Sequence, residues 1–239
     1  MIPLAHDFTN ETVLIFGGGS VGARKARHFA VEADVVVVSP AFVEDSFDDA
    51  DLIKAVPDPD AVPGWVERFD PALVVAATDD EAINEAAATA AREQGALVNR
   101  ADRSAAASSK GASAPDEGGD DRGDDSAGAD RPFDDVAVPA TIRDDPVTVS
   151  ISTGGTSPAL ARVLRQRVEP EIEGAGAMAE LTGQLRERLR AEDVDTERRQ
   201  DAVRAAVRSS RVWTGLRAGD ANPDSITEDL LAEVLEDPQ

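Results

Sequence analysis

The feature that most constrains this chain is a short apolar run that ends in three consecutive glycines and passes straight into a helical pattern. Thr12-Val13-Leu14-Ile15-Phe16 is β-prone and almost wholly apolar, the pattern of a strand buried on both faces of a parallel sheet. Gly17-Gly18-Gly19-Ser20-Val21-Gly22 follows and contains the spacing G-x-G-x-x-G. From Ser20 towards Glu32 the periodicity becomes helical. In that strand–loop–helix context the glycines have separate tasks. Gly17 permits a tight turn, Gly19 lets the backbone approach a pyrophosphate, and Gly22 lets the helix pack close to the sheet. The helix start offers unpaired N–H groups and a positive dipole end to phosphate.

Strand and helix signals then alternate. Val35-Val36-Val37-Val38, closed by Ser39-Pro40, is a second buried strand, Asp51 to Val56 a weaker third, and Leu73-Val74-Val75-Ala76-Ala77 a strong fourth. An Ala-rich helix from near Asp80 to Gln94 and a fifth strand, Ala96-Leu97-Val98-Asn99, complete the series. The pattern predicts an α/β fold, a Rossmann-like doubly wound parallel sheet, over residues 1–102. Residues 103–131 are Ser, Ala, Gly and acids without periodicity and are expected to be a disordered insertion, either a lid or inert. Residues 132–169 then read as a small strand-containing segment. Val136-Ala137-Val138 and Val147 to Ile151 look like strands, and the turn Ser152-Thr153-Gly154-Gly155-Thr156-Ser157-Pro158 leads into a helix capped by Ser157 with Pro158 at its first position. Leu160, Val163, Leu164 and Val168 make that helix amphipathic. Residues 170–239 read as a C-terminal helical domain. Met178, Leu181, Leu185 and Leu189 form one apolar stripe, Val203 and Val207 begin another, and a capping-box pattern from Ser225 to Glu228 opens a last helix with Leu230, Leu231, Val234 and Leu235.

Composition limits the chemistry. Cysteine is absent, so thiolate catalysis and Cys-ligated metal or cluster sites are excluded. His6 and His28 are the only histidines, too few for a His-based metal site, and no resident metal is expected. A net charge of −23 makes nucleic acid a poor partner. The basic residues are nearly all Arg, with only Lys25, Lys54 and Lys110. Many acids with few lysines is the composition of proteins that work in multimolar salt, as in a haloarchaeal cytoplasm, where the screening length falls to about 3 Å. No apolar run is long enough to span a membrane, and the opening residues lack a signal-peptide pattern, so a cytoplasmic protein is expected. Between residues 157 and 217 the chain holds twelve arginines against ten acids. Such a near-neutral helical segment in an acidic protein is either an anion-binding face or a set of pairs at helical spacing.

Three positions at the presumed ligand edge can be read directly. Ser39 stands where a ribose-binding acid is usual, and that edge offers no Arg for a 2′-phosphate. Asp79 or Asp80 either caps the next helix or touches ligand, and Asn84 can reach back to the turn.

Four blocks, in order, resemble the precorrin-2 dehydrogenase/siroheme synthase family. They are Gly17 to Ala26, Ala76-Ala77-Thr78-Asp79-Asp80 with Asn84, Asn99-Arg100-Ala101-Asp102, and Ser152 to Arg162. The resemblance spans most of residues 11–169 and is loose in the helical remainder. It implies oxidation of precorrin-2 to sirohydrochlorin with NAD, and in some members iron insertion, with ferrous ion as a second substrate. It implies that Ser20, Val21, Ala41, Phe42 and Thr78 contact the dinucleotide together with Gly17, Gly19 and Gly22. Asp102 is implied as the catalytic acid. Asn99, Thr153, Gly154, Thr156 and Arg162 are implied around a substrate that carries eight carboxylates. A homodimer is expected from the family, with the 178–189 and 203–207 stripes as its only support in the residues. The chain ends without a methyltransferase domain, so the trifunctional form is not expected. A nucleotide-sensing module without catalysis is the competing class, and the absent acid at Ser39 argues against it. A short-chain reductase is excluded because the chain has no tyrosine.

Overall fold

The structure is a computed structural model in which residues 3–101, 135–218, 225–229 and 232 are described. Asp102, the 103–131 segment and Leu230, Leu231, Val234 and Leu235 lie outside them. By its contacts the chain divides into two units, residues 1–138 with 154–156, and residues 139–153 with 157–239.

The first unit is a five-stranded parallel sheet in the order β3-β2-β1-β4-β5. Its strands are β1 (Thr12–Phe16), β2 (Asp34–Ser39), β3 (Asp51–Lys54), β4 (Leu73–Ala76) and β5 (Leu97–Arg100). Val13, Leu14, Ile15 and Phe16 are fully buried, as an unbroken apolar run requires when both faces are covered. Each such side chain contributes about 1.5–3 kcal/mol through burial. Val13 and Ile15 face helix α1 (Ser20–Phe29) through Ala23, Ala26 and Phe29. Leu14 and Phe16 face α2 (Val62–Phe69) and α3 (Glu81–Glu93). The reversal of strand order falls between β1 and β4, where ligand crevices form in sheets of this type. The sequence reading overlooked α2, whose Val62-Pro63-Gly64 start looks like a loop. Proline in the first turn is compatible with a helix because its missing N–H has no partner there.

Beyond the undescribed segment the chain returns beside β5. Val136 N–H donates to Val98 O at 2.7 Å, and Arg92 pairs with Asp135 at 2.6 Å. The expected strand at Val136-Ala137-Val138 is therefore only a single parallel bridge, between Val98 and Asp135. Pro139 follows with no N–H to donate, and the regular strand starts after it.

The second unit opens with an antiparallel hairpin of β6 (Ala140–Asp144) and β7 (Val147–Ile151). Helices α4 (Pro158–Val168), α5 (Ala175–Ala191), α6 (Thr196–Arg208) and α7 (Ser210–Ala218) follow. Ser157 caps α4 by accepting from Leu160 N–H, with Pro158 in the first turn, as its sequence predicts. Gly176 in α5 has no room for a side chain against the Asp145 carbonyl, and its N–H donates to Asp144 Oδ2 at 3.1 Å. Met178, Leu181, Leu185 and Leu189 are buried with Ala202, Ala206, Val212 and Leu216. The stripe over 178–189 thus fills the unit's own core and lends no support to a dimer. Val203 packs at the edge of that core, and Val207 is exposed. Among the described residues no helix is long and apolar enough to cross a membrane.

Candidate dinucleotide site

The glycine loop joins β1 to α1 at the carboxyl edge of the sheet. Its first glycine has φ of +122°, which side-chain-bearing residues rarely adopt, and a Cβ there would collide with the Ala77 carbonyl after β4. A Cβ on Gly22 would strike the Gly17 carbonyl, so this glycine packs the helix onto the loop itself as well as near the sheet. Gly19 differs, because a Cβ placed on it meets nothing. The loop is therefore walled at Gly17 and Gly22 and open at Gly19. As N-cap of α1, Gly19 supplies no side-chain cap, and the first turn carries no acid. The helix start thus keeps its N–H groups and positive dipole end for an external anion.

Gly18 fills the variable position of the motif, and sequence reasoning gave it no role. A Cβ on it would collide with Ala41 O and crowd Phe42 and Ser39. Its carbonyl accepts from Val43 N–H at 2.9 Å. The turn after β2 is thereby pressed onto the glycine loop, and only a residue without a side chain allows that. The third glycine in the run was the available signal. Phe42 packs edge-on to Phe47 at 5.5 Å, which holds the same turn from the other side. Ser39 is buried, and its hydroxyl donates to Ala41 O at 2.7 Å. Lys54 stands opposite it on β3, and exposed Glu44 and Asp45 follow the turn.

After β4, Thr78 and Asn84 lock one another. Asn84 Oδ1 accepts from Thr78 N–H at 3.1 Å and from its hydroxyl at 2.8 Å, while Nδ2 donates to Thr78 O at 2.8 Å. Asn84 is 1% exposed. Asp80 is the residue that caps α3, accepting from Ala82 and Ile83 N–H, and Asp79 is exposed beside it. The backbone N–H and C=O of Thr78 and its hydroxyl are all tied within this turn, which fixes its shape.

At β5, Asn99 is 4% exposed and donates through Nδ2 to Val136 O at 2.8 Å. Its Oδ1 is buried and finds no donor among the described residues. Arg100 is buried and reaches Glu81 and Glu85 on α3, each at 2.7 Å. These contacts fix the strand end from which Asp102 is two residues away in sequence. Neither Arg100 nor the Val136 contact was anticipated, since each depends on a partner 15 or more residues distant. Ser20 and Ala41 are exposed, whereas Val21 is half-buried against the core.

Lys25 lies on α1 just past the loop, and desolvation, with a smaller contribution from Arg24, lowers its pKa to about 8. Ahead of α4, Thr153 Oγ1 donates to Ser157 O and accepts from Ser157 N–H, closing the turn over Gly154 and Gly155, both of positive φ. Thr156 and Arg162 are exposed. Among the described residues no three His, Asp or Glu side chains are grouped to hold a metal.

Known proteins resemble the chain in the same two places. An NAD(P)-binding family model matches residues 4–109, and the model for the central part of sirohaem biosynthesis proteins matches residues 144–170. Together they cover more than half the chain. Siroheme synthase of Nitrosomonas europaea is 28% identical over 98% of this chain and 43% of its own length. That of Methylococcus capsulatus is 35% identical over 79% of this chain and 34% of its own. The chain is thus similar to siroheme synthases along nearly its whole length. It spans less than half the length of these curated relatives. Its fold matches that of the precorrin-2 dehydrogenase SirC, with a TM-score of 0.62 at 17% identity over 99% of this chain and all of the other. The NAD(P)-binding model and the glycine loop fall on the same stretch, residues 4–109.

Proposed function

We propose that this chain oxidises precorrin-2 to sirohydrochlorin with NAD as hydride acceptor. The observation that carries the reading is the glycine loop. It is walled by backbone on three of its four glycines and open at Gly19, where a pyrophosphate needs space. Gly17, Gly19, Ser20, Val21 and Gly22 hold the phosphates mainly through backbone, and Ala41, Phe42 and Thr78 border the rest of the dinucleotide. The bound nicotinamide would supply the hydride acceptor. The choice of NAD over NADP rests on the resemblance to precorrin-2 dehydrogenases.

The reaction removes a hydride from one ring carbon and a proton from its neighbour. Asp102 is proposed to take the proton, following the strand end that Arg100 and Asn99 fix. Asn99, Thr153, Gly154, Thr156 and Arg162 are proposed to contact the carboxylate-rich substrate. Ferrous ion is proposed as a second substrate after oxidation. A homodimer is proposed too, with half-exposed Leu160 and Val163 on α4 as support in place of the buried 178–189 stripe. The surroundings are proposed to be a salt-rich cytoplasm, on the strength of the −23 charge and the scarcity of lysine.

Gly19→Ala tests the carrying observation. Its Cβ meets nothing in the protein, so the fold should stand while NAD affinity falls by about tenfold or more. Unchanged NAD affinity by calorimetry would remove the basis for the reading.

A further inference from the structure

Helices α5 and α6 pack as an antiparallel hairpin whose inner faces form the core and whose outer faces leave a groove. The groove is about 540 Å³, within the range of small-ligand clefts, about 300–1,000 Å³. Arg186 and Arg190 line it from α5, and Thr196, Arg199, Val203 and Arg204 from α6. Four guanidinium groups thus share one groove with no carboxylate in its lining, on a chain of net charge −23.

Two of the four are partly engaged. Arg199 donates to the Thr196 hydroxyl at 2.9 Å, and Arg204 pairs with Asp201 at 2.9 Å. Among the described residues the side chains of Arg186 and Arg190 have no such partner. Thr182 and Arg190 are the residues four away from Arg186, so helical spacing supplies it with no acid. Glu187 lies within reach of Arg190, yet no ion pair forms. Arg186 and Arg190 are instead neighbours one turn apart, an arrangement of like charges that works against the helix. Ion pairing accounts for Arg165 with Glu169 along one helix and for Arg188 with the distant Glu228, but not for Arg186 and Arg190. The arginine stems and Val203 give it an apolar floor, and the planar forks at its rim match oxyanions in two-point contact.

We propose that this groove is a binding site for a compact multivalent oxyanion, a phosphate ester or a small polycarboxylate. It lies within the helical unit and is independent of the glycine loop. The test is calorimetric titration of the full chain with sodium pyrophosphate and, separately, with sodium citrate, at low and high potassium chloride. One probe should bind saturably at low salt, and the tighter one identifies the ligand chemistry. Arg186→Ala/Arg190→Ala should weaken that binding about tenfold or more, the loss of one charge-assisted contact. Arg167→Ala/Arg211→Ala removes the same charge outside the groove and should leave it intact. Arg190→Gln, a milder exposed change, should show the same loss in part, and circular dichroism checks the helices of every variant. Pyrophosphate binding that survives in the Arg186/Arg190 variant belongs to the glycine loop. No saturable binding by either probe, or equal weakening in both double variants, would overturn the proposal.

Discussion

At the residue scale, neighbouring glycines do opposite work. Gly18 is constrained by the protein, since its missing side chain lets the turn at Ala41 to Val43 close onto the loop. Gly18→Ala must displace that turn, so it should cost about 1–3 kcal/mol of stability as overpacking does, and weaken NAD binding as well. Urea unfolding and NAD titration on Gly18→Ala and Gly19→Ala should separate the two roles. Lys25 offers a second test. Its folded pKa of about 8 lies below the ordinary lysine value of 10.5, so between those values the unfolded chain binds more protons. Stability from this group therefore rises as pH rises from about 8 towards 10.5, and below that window the buried charge costs stability. With no tyrosine or cysteine and only three lysines, few other groups titrate there. Lys25→Met should stabilise the protein at pH 7, by at most about 3 kcal/mol, and flatten the alkaline rise in urea midpoint. An unchanged alkaline profile would show that Lys25 is not the group responsible.

At the element scale, the turn after β4 is held by one side chain. Asn84→Ala strips partners from both the N–H and the carbonyl of Thr78 and should cost about 1–3 kcal/mol in denaturant unfolding. Asn84→Asp keeps the acceptor but loses the donor to Thr78 O, so it should fall between. How far these elements could be read from sequence follows the range of the interactions. Strands β1, β2 and β4 were legible because continuous apolar runs report burial on both faces. The cap at Ser157 was legible because a cap is a contact over two or three residues, whereas the sequence left Asp79 and Asp80 open as cap or ligand contact. Helix α2 was hidden by Pro63 and Gly64, and the 136–138 segment imitated a strand because Val alternation says nothing of whether a partner lies alongside. Site residues divided the same way. The glycine spacing and the Thr78–Asn84 turn are local patterns, whereas Arg100 with Glu81 and Glu85, and Asn99 with Val136, join segments that only the fold brings together.

At the scale of the whole molecule, charge dominates. Self-repulsion from 47 acidic residues against 24 basic ones is relieved by screening. The thermal midpoint should therefore climb as potassium chloride is raised from millimolar to molar levels. A midpoint that falls with salt would contradict adaptation to a salt-rich cytoplasm. The same screening should weaken anion binding in the arginine groove more than NAD binding at the backbone-lined loop, because guanidinium contacts depend on net charge and N–H contacts largely do not.

The proposed reaction joins a nucleotide loop, a carboxylate two residues beyond β5 and a tetrapyrrole. The most direct measurement is incubation of the purified chain with precorrin-2 and NAD in high salt, following NADH and sirohydrochlorin by absorbance, with NADP and added ferrous ion as further arms. NADH and sirohydrochlorin should form in equal amounts, faster with NAD than with NADP, and both should be lost in Asp102→Asn. Absence of NADH with the native chain, or full activity in Asp102→Asn, would contradict it.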